Sequence, residues 1–142
     1  MECEFPTVNS NPDEIREIFD TVKTIAVLGL SPNETKASHR VAKYLQEVGY
    51  RIVPVYPKEE TILGEKVYRS LAEIPFEIDM VDIFRKPAAF DAVADACIAR
   101  GDVKVFWGQV GLVNNAAAKK AEDAGMKVVQ NLCSMVAHRD LV

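Results

Sequence analysis

The chain has 142 residues, 49% of them hydrophobic, which suits one domain with a core of its own. Seventeen Lys and Arg against twenty-one Asp and Glu leave a formal net charge of −4, so no basic field draws in nucleic acid or an anionic membrane, and any phosphate site has to be local. No apolar run approaches the ~20 residues of a membrane span, the acidic N-terminus lacks a signal-peptide pattern, and Cys3, Cys97 and Cys133 are too scattered for a disulfide framework or a zinc site; the cytoplasm is the expected location.

Residues 1–22 form an N-terminal extension ending in a helix. Asn11 caps it, Pro12 takes the first helical position, Asp13 and Glu14 suit the positive end of its dipole, and Ile15, Ile18, Phe19 and Val22 follow at helical spacing. Thr24 to Leu28 is a continuous apolar run closed by Gly29, the pattern of a parallel strand buried on both faces. Val41, Tyr44, Leu45 and Val48 then repeat as one face of a helix that stops at Gly49. Arg51 to Tyr56 reads as a second strand, edge-like because Pro54 has no amide to donate.

A less regular stretch with Gly64, Tyr68 and Leu71 leads to a strand over Ile78 to Phe84, interrupted by Asp79 and Asp82. Pro87 opens a helix whose stripe is Phe90, Val93, Ala94, Cys97 and Ile98, with Gly101 at its end. Val103 to Trp107 is a short strand, Asn114 or Asn115 caps an alanine-rich helix with Ala117, Ala118, Ala121 and Ala124 facing inward, Met126 to Val129 is the last strand, and Cys133 to Leu141 a terminal helix. Strands alternating with helices specify an α/β fold: a single Rossmann-like, doubly wound domain over residues 1–142, with a five-stranded parallel sheet and helices on both faces. Ligands of such sheets bind at the carboxyl ends of the strands, near the point where strand order reverses.

The segment from Gly29 to Ser38 joins the first of these strands to its helix, where free amides and the helix dipole favour an anion. Gly29 and Leu30 offer backbone, Ser31, Asn33 and Ser38 polar side chains, Lys36 a charge, and His39 a donor at the helix start. The segment lacks GxGxxG and is also readable as an ordinary turn. At the end of the second strand, where an NAD site carries an acid for the ribose, the chain reads Tyr56-Pro57-Lys58. A cation there favours a ligand with phosphate on its ribose, NADP or coenzyme A, although Lys58 beside Glu59 and Glu60 also reads as a solvated surface lysine.

These segments, with Leu63-Gly64, Val67-Tyr68, Val81-Asp82-Ile83-Phe84-Arg85, Trp107-Gly108-Gln109-Val110-Gly111 and Asn131-Leu132-Cys133, give the chain a resemblance from about Lys23 to Leu141 to the small coenzyme A-binding proteins of the CoA-binding domain family. That family is similar to the nucleotide-binding part of the succinyl-CoA synthetase alpha subunit. The resemblance implies a CoA pyrophosphate at the Gly29 loop, the adenosine end near Tyr56, Pro57 and Lys58, and Phe84, Arg85, Lys86 and Pro87 closing over the ligand. Of Trp107 and Gln109, both candidates to line the site, Gln109 is the better functional reading, because a tryptophan ending a strand is more often core. The chain departs from the pattern at Tyr56, where many relatives carry a smaller polar residue, and in a Gly29 loop poorer in glycine. The phosphate-carrying histidine of the synthetase lies in a second domain with no counterpart here, so the ligase chemistry does not transfer.

No catalytic constellation is legible. His39 and His138 make no triad or metal shell by spacing, and Asp79 and Asp82 differ in parity, so they point to opposite faces of their strand. Cys133, on the ligand edge, reads first as a small buried hydrophobe and second as a partner for a mixed disulfide with the CoA thiol. The expected role is a non-catalytic module that binds CoA or an acyl-CoA, beside a second copy of the chain or a separate catalytic subunit. The alternatives are an NADP-dependent oxidoreductase and an interaction subunit with a degenerate nucleotide cleft.

Overall fold

The computed structural model describes residues 5–142; Cys3 lies outside them. Helix α1, Pro12–Thr21, starts where the sequence places it: the Asn11 side chain accepts from the Glu14 amide and the Glu14 carboxylate accepts from the Asn11 amide, both at 2.9 Å. Strands β1 (Thr24–Leu28), β2 (Arg51–Val55), β5 (Met80–Ile83), β6 (Val105–Gly108) and β7 (Lys127–Val129) form one parallel sheet in the order β2-β1-β5-β6-β7. Helices α2 (Ala37–Glu47), α3 (Phe90–Arg100) and α4 (Asn115–Asp123) link successive strands, and α5 (Ser134–Leu141) follows the last.

The alternation of side chains along each strand splits the core in two. Ala26, Val53, Val81, Phe106 and Val128 face α3 and α4, whereas Ile25, Val27, Ile52, Val105 and Trp107 face α1, α2 and α5. Asn114 is the residue that caps α4, its side chain accepting from the Ala117 amide. Gly101 ends α3 in the left-handed conformation at φ 79°. Pro54 does sit on an edge strand, and the N–H it lacks falls where Tyr68 comes alongside, donating its amide to the Pro54 carbonyl and accepting from the Tyr56 amide, each at 3.0 Å.

The structure differs from the periodic reading at the ends of its stripes. Val48 is 43% and Ile98 39% exposed, and Ala124 is exposed too; Val48 and Ala124 are C-cap residues and Ile98 sits in the last turn of its helix, where the stripe runs out. Pro87 opens a single 3₁₀ turn, Pro87–Ala89, ahead of α3 rather than α3 itself. The irregular stretch after β2 contains a two-stranded antiparallel hairpin, β3 (Thr61–Ile62) and β4 (Glu65–Lys66), too short to leave a pattern in sequence.

The N-terminal arm closes the far side of the sheet. The Asn9 side-chain amide exchanges two hydrogen bonds with the Gln130 backbone, at 3.0 and 3.3 Å, and the Ser10 hydroxyl donates to the Val128 carbonyl at 2.7 Å. The buried Gln130 side chain accepts from the Asn114 amide and donates to the Val8 carbonyl, so arm, β7 and the start of α4 share one polar centre.

Candidate functional site

With the hairpin set aside, the strand order is that of a doubly wound sheet whose direction reverses between β1 and β5. The carboxyl ends of β1, β2 and β5 are stitched together there: the Gly29 amide donates to the Val55 carbonyl at 3.0 Å, and the Phe84 amide to the Leu28 carbonyl at 2.9 Å. Gly29 has φ +84°, and a Cβ on it would stand 3.0 Å from the Phe84 carbonyl oxygen. The chain's own backbone therefore demands glycine at this point, independently of any ligand.

The loop that follows is internally ordered. The Ser38 hydroxyl oxygen accepts from the Ser31 amide, the Ser31 hydroxyl oxygen from the Asn33 amide, and the Asn33 carboxamide from the Thr35 amide, at 3.0–3.1 Å. Neither serine's hydroxyl hydrogen has an acceptor among the described residues. His39 is buried and bonds the Ser31 carbonyl through Nδ1 at 2.8 Å, so that nitrogen carries the hydrogen and the ring fixes the loop. Lys36, at the N-cap of α2, makes no side-chain capping bond, and the helix dipole there is unopposed by an acid in the first turn. Leu30 is fully buried in the core on the α2 side and can offer only its backbone.

Tyr56 is half-buried at the end of β2, with Pro57 and Lys58 exposed beyond it. Phe84 and Pro87 are half-buried and Arg85 and Lys86 exposed on the facing segment, and the Asn114 carboxamide donates to the Pro87 carbonyl at 2.9 Å. Lys36, Lys58, Arg85 and Lys86 form no ion pair among the described residues. Loop, turn and segment thus come together at one end of the sheet, as the sequence implies.

Gln109 takes a different place. It is buried, and its amide nitrogen donates to Asp82 and to the Ser134 hydroxyl, the latter at 2.9 Å, while its carbonyl oxygen accepts from the Ser134 amide at 3.3 Å. The Ser134 hydroxyl in turn donates to the second Asp82 oxygen at 2.8 Å. Four hydrogens and four acceptors close on themselves beneath the start of α5, and Gln109 has no free hydrogen. Burial pushes the Asp82 carboxyl up to about 7, against the two hydrogen bonds, which act to lower it. Asp79, of opposite parity, lies at the other end of the strand and accepts from the Lys23 and Thr24 amides at 2.9 and 3.0 Å.

The loops after β6 and β7 are joined above this network. The Gly111 amide donates to the Asn131 side chain at 2.7 Å and the Trp107 indole to the Leu132 carbonyl at 2.8 Å, which explains why Trp107 is fully buried. Cys133 is half-buried at the N-cap of α5. His138 stands among Phe19, Tyr44 and Tyr50, edge-on to each, with Nδ1 bonded to the Tyr44 hydroxyl at 2.8 Å. A cleft of about 540 Å³ opens at the opposite, amino-terminal edge, between Ile74, Phe76, Ala96 and Ala99. The Arg100 guanidinium that lines it is taken up by Asp102 and the Leu71, Ile74 and Phe76 carbonyls, and the Arg51 guanidinium stacks over the Phe76 ring at 3.8 Å. That cleft lies away from the carboxyl ends of the strands, where ligands of such sheets bind.

The profile of the CoA binding domain matches residues 23–139. The chain belongs to the CoA-binding domain family. It is 42% identical to the Bacillus subtilis uncharacterized protein YneT over 130 residues, covering 92% of this chain and 96% of that one. A hypothetical protein from Pyrococcus horikoshii superposes with a TM-score of 0.90 at 40% identity, each chain covered to 99%. The Pyrococcus furiosus ADP-forming acetate–CoA ligase I subunit alpha is 36% identical over 116 residues, which is 78% of this chain but 24% of the subunit. This family member thus spans about a quarter of that ligase subunit.

Sequence reasoning missed two side chains beside this edge. Ser134 follows Cys133 without any pattern to mark it. Arg69, in the loop after β4, donates through Nη1 to the Tyr56 carbonyl at 3.0 Å and to the Lys58 carbonyl at 2.8 Å. The one available signal was a lone arginine next to Tyr68 in a stretch that carried no periodicity.

Proposed function

We propose that the chain binds coenzyme A or an acyl-CoA along the carboxyl edge of the sheet and does so as a binding module, without a reaction of its own. The pyrophosphate would lie at the start of α2 over Ser31 and Ser38, the adenosine end at the Tyr56–Lys58 turn, and the pantetheine arm beneath Phe84 to Pro87. The observation that carries this reading is the meeting of three strand ends beside a helix start without a side-chain cap, on segments whose exposed Lys36, Lys58, Arg85 and Lys86 form no ion pair among the described residues.

The ligases named among the relatives join acetate to CoA, and the stretch shared with the ligase I subunit alpha covers 78% of this chain. We read this chain as keeping that binding step and holding CoA or its thioester for a partner chain. Calorimetric titration of the purified protein with CoA, acetyl-CoA, NADP and NAD at one salt concentration tests it. Selective binding of the CoA species is expected; selectivity for NADP, or silence toward all four, would refute it.

A further inference from the structure

We propose that Arg69 is a specificity-determining residue of this site, acting with Lys58 to select a ligand that carries phosphate on its ribose. The inference rests on the CoA-binding reading above. Arg69 reaches the end of β2 from the hairpin side. Tyr68 first lies alongside that end through its two backbone bonds to Pro54 and Tyr56, and the Arg69 amide is held by the Glu73 carboxylate at 2.9 Å. The side chain then spans the turn, and one nitrogen, Nη1, binds both the Tyr56 and the Lys58 carbonyls.

Two consequences follow. The turn that carries Lys58 is fixed, although Glu59, the next residue, sits at φ 67° in the left-handed region, which a residue with a side chain adopts at a cost. The guanidinium also remains a donor: Nε and Nη2 have no acceptor among the described residues, and Arg69 forms no ion pair with Glu59, Glu60 or Glu73. Two exposed, unneutralised cations therefore stand at the position where a site for an unphosphorylated ribose would place an acid. A planar fork with spare N–H groups suits a phosphate dianion, and Lys58 adds a point charge.

The test is calorimetric titration of the full chain and its Arg69→Gln, Arg69→Lys and Lys58→Gln variants with CoA and with dephospho-CoA, which differ only in the ribose phosphate. The wild type should prefer CoA by tenfold or more, and Arg69→Gln should lower that preference by about tenfold, the size of one charge-assisted hydrogen bond. Arg69→Lys should retain part of the preference, since the charge remains and the fork is lost. Equal weakening toward both ligands in Arg69→Gln would mean that Arg69 only holds the turn, and would overturn the assignment. If Arg69→Gln does not fold, an undiminished preference in Arg69→Lys together with Lys58→Gln would overturn it equally. A wild type that binds CoA and dephospho-CoA alike refutes this inference alone; a wild type that binds neither refutes the CoA reading itself.

Discussion

Asp82 gives the sharpest test of the network beneath the site. Its carboxyl is raised from 3.8 to about 7 by burial, and carrying a proton affinity across that interval corresponds to about 4 kcal/mol of folding free energy. The folded protein keeps the proton where the unfolded chain has lost it. The stability this group contributes is thus full below about pH 4, declines as the pH rises toward 7, and is gone above it. Asp82→Asn has nothing to titrate at this position. It keeps one oxygen to accept from Gln109, and its amide can donate to a Ser134 hydroxyl that turns to receive it, a rearrangement costing about 1 kcal/mol at every pH. The difference in stability between variant and wild type should therefore move in the variant's favour by about 4 kcal/mol between about pH 4 and pH 8. Urea unfolding of both proteins at half-unit steps across that range measures it. Profiles that stay parallel would refute the argument, because a carboxyl with an ordinary affinity loses its proton equally in both states.

Gly29→Ala should destabilise the fold by about 1–3 kcal/mol in thermal or urea unfolding, since alanine would have to adopt φ +84° with its Cβ 3.0 Å from the Phe84 carbonyl; retained stability would mean that β1 and β5 part easily at the switch point. Burial holds the His138 imidazole below its usual 6.5, so its neutral form stabilises the fold above about pH 6.5 and that contribution is lost as the pH falls toward the folded-state value. An NMR titration should find its midpoint lower than that of His39→Gln protein unfolded in urea, and Tyr44→Phe, which removes the hydrogen bond at 2.8 Å, should cost about 1 kcal/mol.

The sheet and its helices were legible because their signals are local. A capping asparagine before a proline, apolar runs of strand length and glycines at helix ends act over a few residues, and the structure places each near its expected position. The hairpin at Thr61 to Lys66 was not, since two-residue strands are held by pairing alone. Within the candidate site, position in the fold pointed to the loop at Gly29 and the turn at Tyr56, the family resemblance pointed to the segment at Phe84, and the structure joins the strand ends that carry them. The directions of side chains were another matter. Gln109 was expected to face the ligand and instead satisfies Asp82, a choice made by partners 27 and 25 residues away in the chain. Asp82 itself was visible as an acid in an apolar strand, yet only the arrival of α5 determines that it is sealed from water. Arg69 was silent for the same reason: its meaning lies in two carbonyls of the turn after β2.

The arm that lays Asn9 along Gln130 leaves little of the sheet open to strangers. With Tyr68 and Pro54 at one rim and Asn9 and Ser10 at the other, both outer strands are already engaged, and a foreign strand finds no uninterrupted row of amides to continue. Association of the folded protein by strand addition is thereby discouraged. A companion protein has to recognise this one by its side chains, on the helices or at the strand ends, and the second of those surfaces is where the ligand itself would be presented.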